Sequence, residues 1–119
     1  MTNKSYQDLI VWQKSIDLVE IIYRMTKAFP KHETYGLISQ MQRASVSVAS
    51  NIAEGQGRNS NSAFVRFLSY SQGSLKELET QLLISSRLNY IDQNQLDVIL
   101  KHCDEIGKMI TGLQKKISN

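Results

Sequence analysis

The chain has 119 residues, of which 41% are hydrophobic and 21% charged, a composition typical of one globular domain rather than of a disordered segment. The single cysteine, Cys103, excludes an internal disulfide, and no apolar run is long enough for a signal peptide or a membrane span. The net charge of +3 is compatible with a nucleic-acid partner. The charge is spread evenly along the sequence, because residues 1–60 contain seven basic and five acidic residues and residues 61–119 contain seven basic and six acidic residues. We therefore expect a cytoplasmic protein that is not attached to a membrane.

The first predicted helix covers about residues 9–29 and has a wide apolar face. Hydrophobic side chains recur at intervals of three and four in two neighbouring rows, one of which contains Trp12 and Tyr23. Asp8 is the expected N-cap, and Pro30 should end the helix because a proline disfavours helical geometry in the residue before it. Two apolar rows exceed what one helix of a small bundle buries, so part of this face is expected to contact another molecule.

The second predicted helix covers about residues 35–54 and carries a polar row beside an apolar one. The polar residues recur at intervals of three and four, so they lie along one stripe of the helix. They are Gln40, Arg43, Ser47, Asn51 and Glu54.

The segment NIAEGQGR, residues 51–58, closes this helix and combines a carboxylate, an arginine and two glycines. A glycine loop that binds phosphate follows a β-strand, and no strand is predicted before Gly55. We therefore interpret Gly55 as the C-terminal cap of the helix, in left-handed backbone geometry. Glu54 and Arg58 are placed to form an ion pair across the corner that follows.

Two further helices complete the chain. The third, about residues 61–88, follows serine and asparagine residues that can cap it, and it contains the segment SQGS (71–74), for which a close helix neighbour is expected. The fourth, about residues 93–117, has hydrophobic residues at alternating steps of three and four, with Cys103 among them. Short connections place consecutive helices antiparallel, so the sequence predicts an all-α, up-down-up-down four-helix bundle forming a single domain over residues 1–119.

The polar stripe has a structural and a functional interpretation. In an antiparallel pair of the second and third helices, Arg43 lies level with residues 74–77, so a buried or half-buried ion pair of Arg43 with Glu77, or failing that with Glu79, is expected. The alternative is a ligand or nucleic-acid surface, which is less favoured because the stripe has neither aromatic stacking platforms nor a dense row of Lys and Arg. The structural stripe comprises Arg43, Ser47, Asn51, Glu54, Arg58 and Glu77.

Residues with catalytic or metal-binding chemistry do not converge in the sequence. His102, Cys103 and Asp104 are consecutive on a helix, so their side chains point in directions about 100° apart and cannot bind one metal ion together. Glu77 and Glu79 likewise point to different sides of their helix. We predict no catalytic residue, cofactor, metal or small-molecule substrate, and hence no enzyme.

Three segments resemble the 23S rRNA intervening-sequence protein family, a group of bacterial four-helix bundle proteins sometimes labelled ribosomal proteins. They are DLIVWQKSIDLVEIIY (8–23), FPKHETYGLISQMQRASVSVASNIAEGQGR (29–58) and FVRFLSYSQGSLKELETQLLIS (64–85). The chain departs from the family at Ala49, where proline is common, and at Asn59, where a basic residue is common. The resemblance implies a homo-oligomer with the pentamer as precedent, no established enzymatic activity and, in a distantly similar group, binding to nucleic acid and a reverse transcriptase.

Two functions remain open from the sequence. The first is an oligomeric accessory protein linked to 23S rRNA intervening sequences, which binds RNA or DNA through Lys and Arg rows assembled from several copies. The second is a protein-interaction scaffold with no nucleic-acid partner. In either case, we expect aromatic residues at the contact between copies: Trp12, Tyr23, Phe64 and Tyr70.

Overall fold

Four long helices form an antiparallel bundle in the computed structural model, which describes residues 5–118. The described residues contain no β-strand, and the body they form measures 49 × 23 × 21 Å along its principal axes. The prediction of an all-α, up-down-up-down bundle is confirmed. The helices are α1, Ile10–Thr26; α2, Leu37–Gln56; α3, Asn61–Arg87; and α4, Gln93–Ser118, and short 3₁₀ turns lie at Tyr6–Asp8 and Lys31–Glu33.

One hydrophobic core runs along the axis of the bundle, and each helix contributes the row that its spacing predicts. Leu18, Val48, Leu75 and Cys103, one from each helix, are fully buried. Burial of a side chain the size of leucine stabilises a fold by about 1.5–3 kcal/mol, so these rows hold the bundle together. Each helix packs on its two neighbours around a square, and α2 and α3 are the most closely packed pair.

The ends of α1 differ from the prediction. Asp8 lies in the preceding 3₁₀ turn, and Leu9 occupies the N-cap without a capping side chain. The helix ends at Thr26, three residues before the predicted end, and the N–H of Phe29 donates to the carbonyl of Thr26 at 3.1 Å. Because Pro30 has no N–H to continue the helical pattern, the last turn tightens into hydrogen bonds between residues three apart.

The predicted role of Gly55 is wrong. Gly55 is buried inside α2, and no glycine among the described residues has a positive φ. The helix continues to its C-cap, Gly57, which has a φ of −75°. A Cβ atom built on Gly55 would lie 2.6 Å from the Cβ of Phe67 and 3.1 Å from the Cδ1 of Phe64. Glycine is therefore required at this position by the close approach of α3 and not by backbone geometry.

The small-residue segment of α3 also differs in part from the prediction. Ser71 donates a hydrogen bond to the carbonyl of Val48 at 2.8 Å, and Ser74 donates to the hydroxyl of Ser47 at the same distance, so both serines do face a close neighbour. A Cβ atom built on Gly73, however, would meet nothing within 4 Å. Gly73 lies on the exposed side of α3.

The connection between α3 and α4 begins with the one non-glycine residue of the described chain that has a positive φ, Asn89 at 63°. The N–H of Tyr90 donates to the carbonyl of Ser85 at 2.9 Å, and the N–H of Asn89 donates to Ser86 at 3.0 Å. These two bonds form a Schellman motif, which satisfies the last carbonyls of α3.

Glu33 joins this connection to the start of α2. Its Oε1 accepts the N–H of Leu37 at 3.1 Å, and its Oε2 accepts the hydroxyl of Tyr90 at 2.9 Å. Because both bonds favour the ionised carboxylate, with the N–H of Leu37 contributing most, the pKa of Glu33 lies below its usual value of 4.5. The same bond raises the pKa of Tyr90, since the tyrosine would lose its donor on ionisation.

Candidate nucleic-acid interface

The middle of the polar stripe is a structural hydrogen-bond network between α2 and α3. The side chain of Asn51 donates to the carbonyl and the hydroxyl of Ser47 at 2.9 and 3.0 Å, and that hydroxyl also accepts from Ser74. These side chains are half-buried at the seam. Their donors and acceptors are largely used by one another, so this part of the stripe agrees with the structural interpretation.

The predicted ion pair between Arg43 and Glu77 does not form. Both side chains are exposed, and Arg43 pairs with no carboxylate of the part of the chain that the structure describes. Ser74, three residues before Glu77, bonds to Ser47 of α2, whereas the side chain of Glu77 is exposed to solvent and makes no contact with Arg43. An ion pair exposed to water contributes only about 0–1 kcal/mol, so its absence costs the fold little.

At the C-terminal end of the stripe, Glu54 and Arg58 form the expected ion pair at 2.9 Å, with both side chains about half exposed. Arg58 also covers an aromatic ring, because its Cζ lies 4.8 Å from the centroid of Phe67. Arg66 approaches the same ring at 5.7 Å. The ring of Tyr70 meets Phe67 edge-on, at 5.3 Å between centroids and 79° between planes. Two arginines and two aromatic rings thus share one cluster at the α2–α3 corner.

This corner belongs to a basic end of the bundle, which we define as residues 5–11, 52–70 and 110–118. Among these residues, four bases stand against two acids, an excess of two positive charges out of the net +3 of the chain. The bases are Arg58, Arg66, Lys115 and Lys116, and the acids are Asp8 and Glu54. Of the four bases, only Arg58 is in an ion pair with a described carboxylate.

The opposite end, residues 20–40 and 84–97, also contains four bases but is neutral, because it contains four acids as well. Its bases are Arg24, Lys27, Lys31 and Arg87, and its acids are Glu20, Glu33, Asp92 and Asp97. The even division of charge between the two halves of the sequence therefore hides an uneven distribution in space. Each half of the chain contributes one or more helices to both ends of the bundle, so halves of the sequence are not halves of the molecule.

The groove between α3 and α4 has less functional character. It encloses about 580 Å³ and is lined by three lysines, but Lys76 pairs with Glu79 at 3.2 Å and Lys108 pairs with Asp104 at 3.1 Å. Cys103 lies at its base, where burial raises the pKa of the thiol to about 12. The thiol is therefore protonated at neutral pH and a poor nucleophile.

The four aromatic residues expected at a contact between copies fall into two groups. Trp12 and Phe64 pack against the core and are partly buried, whereas Tyr23 and Tyr70 are 42% and 50% exposed. Sequence reasoning missed an aliphatic patch at the C-terminal end of α3, whose side chains are 43–50% exposed. The patch consists of Leu83, Ile84 and Leu88.

No group of His, Cys, Asp and Glu side chains within residues 5–118 is arranged to hold a metal ion. None of the four helices, as far as they are described, combines the length and the apolar character needed to cross a membrane.

The comparisons with known proteins concern most of the chain. Among solved structures, the fold is similar to that of a protein of unknown function from the S23 ribosomal protein family of Bacteroides thetaiotaomicron, with a TM-score of 0.80. The two are 24% identical over 89% of this chain and 99% of the other, and this likeness supports the fold. No curated protein shows significant similarity to the chain. The sequence model of the 23S rRNA-intervening sequence proteins matches residues 7–112, and the chain therefore belongs to the 23S rRNA-intervening sequence protein family.

Proposed function

We propose that the chain is a non-enzymatic, homo-oligomeric accessory protein that binds nucleic acid at its basic end and is linked to 23S rRNA intervening sequences. The observation that carries the proposal is the position of the charge, since the basic end has an excess of two positive charges and the opposite end has none. Membership of the family supports the link to rRNA. A bacterial cytoplasm is the compartment in which such a protein meets its partner.

The basic end has the chemistry that phosphate chains require. Nucleic acid is held mainly by Lys and Arg side chains that replace its counterions, and a cation already paired with a carboxylate is less available for this exchange. Arg66, Lys115 and Lys116 are exposed and pair with no carboxylate of residues 5–118. They can therefore contact phosphates without first breaking an ion pair within the bundle.

Self-association multiplies this charge. The aliphatic patch of Leu83, Ile84 and Leu88 leaves apolar surface in water, and a second copy is the partner that we assign to it. The patch lies at the C-terminal end of α3, away from the basic end, so a contact there leaves the cations accessible. The family resemblance selects the pentamer, in which five copies at +3 each would carry about +15 and attract a polyanion strongly.

The test is RNA binding over a salt series, on protein of known mass from light scattering. Two triple variants, each with three exposed cations changed to glutamine, differ only in the end that they affect. They are Arg66→Gln/Lys115→Gln/Lys116→Gln at the basic end and Arg24→Gln/Lys27→Gln/Lys31→Gln at the opposite end. We expect the first to lower RNA affinity and to reduce the slope of log K against log salt by roughly two, because about 0.7–0.9 is lost per phosphate contact. The second should change neither quantity appreciably.

The two functional hypotheses predict different results. Equal losses in the two triple variants would show that only the net charge matters and would contradict a site at the basic end. An oligomer with no measurable RNA or DNA affinity would instead favour the protein-interaction scaffold. A monomer of 13.6 kDa at micromolar concentration would remove the aliphatic patch as a contact between copies.

A further inference from the structure

The arginine–aromatic cluster at the α2–α3 corner consists of Arg58, Arg66, Phe67 and Tyr70. Phe67 lies under two guanidinium groups, whose Cζ atoms are 4.8 Å (Arg58) and 5.7 Å (Arg66) from its ring centroid, and its ring packs at a T-shaped angle against Tyr70 with the centroids 5.3 Å apart. Phe67 is partly buried, whereas Tyr70 is 50% exposed. A half-exposed tyrosine ring thus packs against a phenylalanine whose own ring lies under two guanidinium groups.

We propose that this cluster is a binding site for one nucleotide of a single-stranded RNA or DNA, with the base stacked on Tyr70 and the adjoining phosphates held by Arg66 and Arg58. The inference rests on the proposed function and assigns it a site. Proteins that bind single strands combine aromatic stacking platforms with cations that follow the phosphates. Because every base has a flat π surface, such a site tolerates many sequences.

The surroundings of Tyr70 leave room for a strand. Gly73, one helical turn further along α3, has nothing within 4 Å of the position of a Cβ atom. On the neighbouring helix, the short polar side chain of Asn51 donates to the hydroxyl of Ser47, which also accepts from Ser74. Along α3, Tyr70 is therefore preceded one turn earlier by Arg66 and followed one turn later by a glycine, and the facing residues of α2 are small.

The composition of the cluster favours a nucleotide over a second copy of the chain. Tyr and Arg are enriched in contacts between proteins as well, so the distinction rests on charge. Two copies meeting at this corner would bring like-charged arginines together, whereas the aliphatic patch of Leu83, Ile84 and Leu88 carries no charge. The corner exposes one aromatic ring among charged and small polar groups. Arg66 pairs with no described carboxylate, and only Arg58 is shared, with Glu54 at 2.9 Å. A ligand with an aromatic ring and a negative charge matches both features.

The experiment uses variants that preserve packing while removing the π surface. Tyr70→Leu keeps apolar bulk against Phe67 but has no flat ring, Tyr70→Phe keeps the ring, and Tyr23→Leu is the matched control at an exposed tyrosine on α1. The probes are a single-stranded RNA of about ten nucleotides, within the usual site size, and an abasic strand of the same length and charge. Circular dichroism and light scattering establish that each variant keeps its helices and its mass.

We expect the unsubstituted protein to bind the RNA strand more tightly than the abasic strand, and Tyr70→Leu to lower RNA affinity about tenfold while binding the abasic strand unchanged. Tyr70→Phe and Tyr23→Leu should bind both strands as the unsubstituted protein does. If RNA binds but Tyr70→Leu and Tyr23→Leu are equivalent, the stacking site is refuted while the proposed function stands. A change of oligomeric mass in Tyr70→Leu would place Tyr70 at the contact between copies and overturn the inference. Failure of the unsubstituted protein to bind either strand would overturn the proposed function itself.

Discussion

Replacing Gly55 with alanine tests how α2 and α3 are held together. The added Cβ atom would lie 2.6 Å from the Cβ of Phe67, 3.1 Å from the Cδ1 of Phe64 and 3.4 Å from the carbonyl oxygen of Phe64. The atom in closest contact is a Cβ, which cannot move by a change of rotamer. The clash can therefore be relieved only if the backbones of the two helices move apart.

The size of the effect follows from two opposing contributions. Alanine is favoured over glycine in the interior of a helix by about 0.5–1 kcal/mol, and Gly55 has helical geometry. Overpacking of a close contact costs about 1–3 kcal/mol, and a clash with a Cβ atom belongs at the upper end of that range. The net expectation is a destabilisation of about 1–2 kcal/mol.

Gly73→Ala is the matched control, because Gly73 is also a helical glycine but has open space around it. This substitution should stabilise the protein by about 0.5–1 kcal/mol. Urea unfolding followed by circular dichroism measures both changes, at one protein concentration for both variants because any self-association would make the measured stability depend on concentration. A Gly55→Ala protein as stable as Gly73→Ala would refute the packing explanation. Gly55→Asn distinguishes the packing explanation from a left-handed cap. Asparagine suits a cap but is too large for this contact, so the packing explanation predicts that Gly55→Asn is destabilising.

Three further predictions concern the connections and the core. Asn89→Ala should lower the free energy of unfolding in urea by about 1 kcal/mol, because alanine tolerates the left-handed geometry of this residue poorly. Asn89→Gly should not lower it, and destabilisation by both substitutions would contradict the Schellman assignment. The lowered pKa of Glu33 means that its ionised form stabilises the fold above pH 4.5 and that this contribution is lost as the pH falls through the lowered pKa. Stability should therefore fall less steeply with acidification in Glu33→Gln, and an identical acid limb would show that the carboxylate does not matter. Cys103, with its pKa raised to about 12, should react with iodoacetamide only as fast as the bundle opens, and rapid labelling in native buffer would disprove its burial.

The helices and their buried rows could be predicted from sequence because burial follows the helical period. Leu18, Val48 and Cys103 lie in the rows that the spacing identified, and all three are fully buried. The spacing could not locate the end of α1, since the tightened turn from Thr26 to Phe29 depends on how Pro30 leaves the helix. Helix ends depend on hydrogen bonds that periodicity does not encode.

The candidate site was harder to predict because it depends on distances between helices. The level of Arg43 relative to Glu77 was derived from the length of the corner, but that does not determine the rotation of α3 about its axis. Gly55 was assigned to a cap because glycine is common there, whereas the approach of Phe67 is a property of the packed pair. The arginine–aromatic cluster likewise joins side chains from the corner and from α3, and no linear motif records their contact.

The separation of charge along the bundle also affects how the molecule meets a large anion. An excess of two charges near one end of a body 49 Å long creates an electric dipole along its axis. Within a Debye length of about 8 Å at physiological salt, the field of a phosphate chain exerts a torque that turns this end forward before contact. For the proposed nucleic-acid site, this orientation would bring the α2–α3 corner, with Arg58 and Arg66, to the strand first. The aliphatic patch at the C-terminal end of α3 would then lie away from the strand, so the proposed contact between copies and the proposed binding site would use different surfaces.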